Sequence, residues 1–142
     1  MFIGTHSPRL DDKGRVILPT KFREPLASGL VLTKGQDRCV VVWTSAGFED
    51  YAGRLRAASM TSEKARGFTR VFFSSAFDDT PDKQGRVTIP TPLREYAGLD
   101  RELVVVGADT RVEIWDSGAW ASYLEQQEQA FAAVDGEVIP HM

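Results

Sequence analysis

The sequence is short of the residues from which covalent or metal chemistry is usually assembled. Its 142 residues include one cysteine, Cys39, and two histidines, His6 and His141. One cysteine excludes an internal disulfide and fits a reducing compartment. Without a Cys/His cluster there is no ligand set for zinc. Apolar runs such as Leu103–Val106 are far below the ~20 residues a membrane span requires. Residues 1–8 do not place a basic segment before a long apolar one, so no secretory signal is read there. A soluble, cytoplasmic protein is expected. There is no Ser/His/Asp or Cys/His arrangement and no glycine-rich phosphate loop, so neither catalysis nor a cofactor is expected.

Basic residues are missing from the end of the chain. After Arg111 there is no Lys or Arg, but there are six acids: Glu113, Asp116, Glu125, Glu128, Asp135 and Glu137. From Arg9 to Arg23 the balance is reversed, with five basic residues (Arg9, Lys13, Arg15, Lys21, Arg23) against Asp11 and Asp12. The net charge of −3 argues against indiscriminate nucleic-acid binding. The asymmetry is compatible with one phosphate-facing surface, and equally with solvated charge.

What the chain does contain is a repeat. Residues 11–24, DDKGRVILPTKFRE, and residues 82–95, DKQGRVTIPTPLRE, agree at eight of fourteen positions at an offset of 71. The match resumes at offset 72, pairing Gly35 with Gly107, Asp37 with Asp109, Val40 with Val112, Trp43 with Trp115, Ser45 with Ser117 and Tyr51 with Tyr123. Two copies are too few for a solenoid, and each is small to stand alone. A closed, pseudo-twofold pair of half-domains follows.

Each copy carries the same local signals. Asp11–Gly14 and Asp82–Gly85 have the form of a type I turn closed by a glycine bulge, as in a three-residue hairpin loop. The strand leaving each turn alternates, with Val16 and Leu18 (Val87 and Ile89) inward and Arg15 and Ile17 (Arg86 and Thr88) outward. Pro19 and Pro90 end these strands. Thr20 and Thr91 are placed as helix N-caps, with Pro92 at the first helical position, and Pro25 should stop its helix after about one turn. Leu30–Leu32 and Leu103–Val106 read as buried strands, and Gly35-x-Asp37 and Gly107-x-Asp109 as turns into Val40–Trp43 and Val112–Trp115. Ser45 and Ser117 are expected caps of further helices, the second with Trp120, Tyr123, Leu124 and Phe131 on one face. Arg54–Arg70 reads as a basic helical connector. Cys39 is expected as a small buried hydrophobe in a strand. Trp43, Trp115 and Trp120 are read as core or subunit-interface aromatics rather than platforms for bases.

The doubled Asp-x-x-x-Arg followed by Val-x-Leu/Ile-Pro, at Asp11–Arg15 and Asp82–Arg86, resembles the MraZ family. The opening Met1-Phe2-Ile3-Gly4, the run Leu10–Arg15 and the run Leu93–Leu99 are similar to it too. The resemblance implies an α+β fold of two pseudo-twofold, SpoVT-AbrB-like swapped-hairpin half-domains, forming one small β-barrel-like core with flanking helices. The implied boundaries are a first repeat with its trailing helix (1–52), a basic helical connector (53–73), a second repeat with a C-terminal helix (74–133) and a frayed tail (134–142). It also implies a cytoplasmic, nucleoid-associated regulator of transcription, a repressor at the promoter of its own division and cell-wall gene cluster. Such a regulator would bind short direct repeats in double-stranded DNA as a homo-oligomeric ring, an octamer or dodecamer. By motif match Arg15 and Arg86 would contact DNA, with Asp11 and Asp82 as their partners.

Residue chemistry offers two readings of these pairs. An arginine just after a tight turn stands at a hairpin tip, where its guanidinium can donate two bonds to guanine O6 and N7. Lys13, and Lys83 in the second copy, suit phosphates, and Arg9, Lys21 and Arg23 are candidate backbone contacts. Alternatively Asp11 and Arg15 form only a cross-turn ion pair, worth ~0.2–1 kcal/mol when exposed. A rival function is that of a protein-binding module of antitoxin type, which the same units also serve.

Overall fold

Four strands alternate so regularly that both faces of one sheet can be assigned from them. The computed structural model describes residues 1–58, 61–134 and 139–140. Strands β3 (Leu30–Lys34), β4 (Val40–Thr44), β7 (Leu103–Gly107) and β8 (Val112–Asp116) form its centre. Leu30, Leu32, Val40, Val42, Leu103, Val105, Val112 and Ile114 point into one apolar core. Their neighbours Val31, Val41, Trp43, Val106 and Trp115 point into a second core on the other face. Two-residue periodicity buried on both faces is what a sheet sandwiched between layers requires.

Two short strands, β1 (Thr5–His6) and β5 (Phe77–Asp79), complete a six-stranded antiparallel sheet in the order β1-β7-β8-β4-β3-β5. The remaining strands, β2 (Arg15–Ile17) and β6 (Arg86–Thr88), pair with each other as a separate ribbon. The expectation of a closed, barrel-like core is therefore corrected: the sheet is open. Its edge strands have two and three residues. Each is followed two residues on by a proline, Pro8 or Pro81, which has no N–H to extend a ladder.

The repeat is visible as a pseudo-twofold axis. Val16 faces its repeat equivalent Val87 in the ribbon, and Val41 faces its equivalent Glu113 where β4 meets β8. The axis passes through both pairs, so the order of the large sheet reads the same from either edge. The turn at Asp11–Gly14 does not open a long hairpin. Asp11 N donates to Arg15 O, but the chain before it bonds elsewhere, with Leu10 N donating to Arg101 O. The strand leaving each turn takes the other repeat's strand as its partner instead.

Among the described residues five α-helices cover the sheet: α1 (Thr20–Leu26), α2 (Ser45–Arg56), α3 (Glu63–Ser74), α4 (Thr91–Ala97) and α5 (Ser117–Ala133). The ribbon, α1 and α4 lie over the first core through Val16, Leu18, Phe22, Leu26, Val87, Ile89, Leu93 and Ala97. On the opposite face α2, α3 and α5 supply Phe48, Tyr51, Leu55, Phe72, Phe73, Trp120 and Tyr123.

Several helix starts differ by one residue from the sequence reading. Thr44 Oγ1 accepts from Gly47 N at 2.9 Å and Asp116 Oδ2 from Ala119 N at 3.1 Å, so these residues, not Ser45 and Ser117, are the caps. Strand runs straight into helix there, and the cap is the last extended residue. Likewise Pro19 and Pro90 occupy the cap positions of α1 and α4, Thr20 and Thr91 are already helical, and Pro92 is second. Pro25 does not cut α1 to one turn. The helix has seven residues, as α4 does, because Pro25 lies one residue from its end, where few later bonds depend on it.

The basic stretch after Tyr51 is shared between α2 and α3 rather than forming one helix. Its apolar side anchors it. Phe72 is 5% exposed and packs against Trp43, Phe48 and Tyr51, while Lys34 N donates to Ser75 Oγ at the helix end. Cys39 is buried immediately before β4, and burial pushes its thiol well above the ordinary range. The expected fraying beyond Ala133 falls largely on residues 135–138 and 141–142, outside the described residues.

Candidate nucleic-acid interface

Alternation in the ribbon decides where the repeated motif points. Val16 and Val87 are buried, so Arg15, Ile17, Arg86 and Thr88 share the opposite, outward face. Register puts Arg15 beside Thr88 and Ile17 beside Arg86. Arg15 and Arg86 are therefore diagonal neighbours, a relation that separates residues by about 7–8 Å, within reach of long side chains. The two motif arginines, 71 residues apart in sequence, lie on one small surface rather than at two separate hairpin tips.

Both turns are built alike. Lys13 N and Arg15 N each donate to Asp11 Oδ1 at 2.9 Å, and Arg15 Nε donates to Asp11 Oδ2 at 2.8 Å. Gln84 N and Arg86 N donate to Asp82 Oδ1 at 2.9 Å, and Arg86 Nε to Asp82 Oδ2 at 2.7 Å. Gly14 (φ +76) and Gly85 (φ +78) close the turns in the left-handed region. Bonds to the charged form hold both carboxyls below the usual carboxylate range, first the backbone N–H of Arg15 or Arg86 and then the guanidinium.

The ion pair and a DNA contact are compatible in this geometry. Asp11 and Asp82 take only Nε. Among the described residues nothing accepts from the terminal nitrogens of Arg15 or Arg86, and those two form a fork of the kind that grips guanine. The Arg15 and Arg86 side chains keep 27% and 30% of their surface exposed, so each is held against its turn and still reaches solvent.

The other sequence candidates are distributed unevenly. Lys13 and Lys83 sit on the turns at opposite ends of the ribbon, exposed and, among the described residues, without a side-chain partner. Arg23 is half-buried. Its Nε donates to Leu18 O at 2.9 Å, and its guanidinium crosses Gly85 of the other repeat, where an added Cβ would stand 2.5 Å from Nε. Arg94 does the same, donating to Ile89 O at 2.9 Å and crossing Gly14. Arg94 was not singled out from sequence, although its identity with Arg23 in the repeat was the available signal. Arg9 pairs with Glu102 at 2.9 Å, and Lys21 is exposed beside Gly4; neither belongs to the ribbon cluster.

Trp43 and Trp115 are buried on the far side of the sheet, each stacked on a tyrosine, Tyr51 or Tyr123. They flank a cleft of about 630 Å³ between α2–α3 and α5, with Val41 and Glu113 on its floor.

Comparison with known proteins supplies the family. A family model described as "MraZ protein, putative antitoxin-like" matches residues 1–71 and again 72–139. The chain belongs to the MraZ family. Relatives include proteins of Salinispora tropica, 61% identical over 140 residues, and Micrococcus luteus, 58% identical over 140 residues. The alignments cover 99% of this chain with 99% and 98% of those proteins, each named "Transcriptional regulator MraZ". A Frankia alni protein with the same name is 59% identical over the same length. Each matched segment contains one of the two Asp-x-x-x-Arg turns, Asp11–Arg15 in the first and Asp82–Arg86 in the second.

Proposed function

We propose that the chain is a sequence-specific DNA-binding regulator of transcription, a repressor at the promoter of its own gene cluster, with Arg15 and Arg86 as its reading residues. The observation that carries this reading is their meeting on one face of a two-stranded ribbon, each pinned through Nε with, among the described residues, no acceptor on its terminal nitrogens. A two-stranded ribbon fits the major groove. Pinning removes side-chain freedom before binding, which lowers the cost of the contact. Lys13 and Lys83 at the ribbon's ends suit flanking phosphates, while Arg23 and Arg94 brace the turns. The names of the relatives support the same reading.

A molecule with net charge −3 and one small basic face binds DNA weakly as a single subunit. Assembly into a ring, an octamer or dodecamer, would let several ribbons engage successive direct repeats and raise affinity through effective concentration. Apolar residues left exposed at the end of α5, Phe131 and Val134, support self-association. The AbrB-like swapped-hairpin description suits a unit whose turn strands pair across repeats, and the reading places the protein at the nucleoid.

The test is an anisotropy titration on DNA from upstream of the gene at two salt concentrations, comparing wild type with Arg15→Ala and Arg86→Ala after assembly is confirmed. Loss of binding in the variants, with affinity falling as salt rises, is the expected result. Unchanged binding in both would reduce Asp-x-x-x-Arg to a structural clamp and overturn the proposal.

A further inference from the structure

Ile17 is half exposed, at 50%, between Val16 and Leu18, which are both fully buried. It lies on the outward basic face at the end of β2, directly across the ribbon from Arg86 and two residues from Arg15. A β-branched residue there suits the pleat, but its outer half covers nothing in the chain. On a surface facing phosphates such a side chain would find only polar groups. Facing base edges in the major groove it meets one apolar group, the C5-methyl of thymine.

We propose that Ile17 is a specificity-determining residue that packs against a thymine methyl two base steps from the guanine contacted by Arg15. The inference rests on the DNA-binding reading above. Spacing supports it. Side chains i and i+2 on one face of a strand are ~6.8 Å apart, and successive phosphates of one DNA strand are ~3.4 Å apart along the axis. With the ribbon along the groove, Arg15 and Ile17 address bases two steps apart. The second repeat carries Thr88 at the equivalent position and Gln84 in place of Lys13. The two halves of the ribbon thus share an arginine but differ in apolar reach, and the preference for a methyl falls on the Ile17 half.

The experiment uses the full chain and two duplexes of the upstream DNA, one with thymidine and one with deoxyuridine throughout. These pair identically and differ only in the C5-methyl. Wild type is expected to bind the thymidine duplex about fourfold more tightly for each methyl it covers. Ile17→Ser should lose that discrimination while keeping its dependence on Arg15, and Ile17→Val should retain most of it. Equal wild-type affinity for both duplexes, with binding still dependent on Arg15, overturns the role of Ile17 and leaves the DNA-binding reading intact. Discrimination that survives in Ile17→Ser overturns it too. Failure of wild type to bind either duplex overturns the DNA-binding reading itself.

Discussion

Gly85→Ala isolates the brace that ties one repeat to the motif turn of the other. Two costs are expected. Gly85 has φ +78, and an alanine there is strained by about 1 kcal/mol after allowing for its less flexible unfolded chain. The new Cβ would also stand 2.5 Å from Arg23 Nε and 2.9 Å from Arg23 Cδ. The most crowded atom, Nε, is the one that donates to Leu18 O, so Arg23 must move that group away. That removes its bond to Leu18 O, which belongs to a fully buried residue. Stranding a buried carbonyl costs about 1–3 kcal/mol, for a total of about 2–4 kcal/mol. Gly98→Ala is the control: φ is +59 and nothing lies within 4 Å of the added Cβ, so only the backbone cost of about 1 kcal/mol applies. Gly14→Ala should fall between them, because its nearest contact, 2.9 Å, is the Cζ near the end of Arg94. Urea unfolding at fixed protein concentration measures all three. Equal losses for Gly85→Ala and Gly98→Ala would show that Arg23 carries no structural load and would refute the brace.

Thermal stability should fall as the pH drops below the carboxylate range. Asp11 and Asp82 bind protons less tightly when folded than at their ordinary value of 3.8, so their contribution is present above that value and is lost as pH falls through the lower folded one. The double variant Asp11→Asn, Asp82→Asn should flatten this acid limb in a melting-temperature series. On the far face of the sheet, Phe72→Ala removes a ring, 5% exposed, that packs on Trp43, Phe48 and Tyr51. It should cost about 3–5 kcal/mol in urea unfolding. At temperatures where the variant stays folded, its DNA affinity should match wild type, because the ribbon lies on the opposite side.

Local features were readable from the residues, and their partners were not. Alternation at Val16 and Leu18, and at Val87 and Ile89, assigned inward faces correctly, and the glycine-closed turns formed where Asp11 and Asp82 announced them. The expected hairpins did not extend, because nothing in residues 9–18 states that β2 will pair with a strand 71 residues away. Only the repeat itself hints at that, through the symmetry that places Val16 against Val87. Caps were displaced by one residue because Thr44 and Asp116 serve both as strand ends and as caps, a double duty that residue type alone does not reveal. Just past the basic stretch Arg54–Arg70, Phe72 meets Phe68 and Phe73 of its own helix, but its contacts with Trp43, Phe48 and Tyr51 of β4 and α2 are not local and leave no mark in the nearby sequence. Arg23 looked like a surface cation because the glycine it crosses belongs to the other repeat.

The edges of the large sheet carry a further consequence. A strand on an open edge offers unpaired backbone groups to any other chain, and long flat edges promote aggregation. Here one edge is two residues long and ends near Pro8. The other, Phe77–Asp79, carries two carboxylates and ends near Pro81. Neither gives a second chain enough rungs to continue the ladder. Growth of the ladder from copy to copy, the route by which open sheets become fibres, is therefore blocked at both edges, and any contact between copies has to be made by side chains instead.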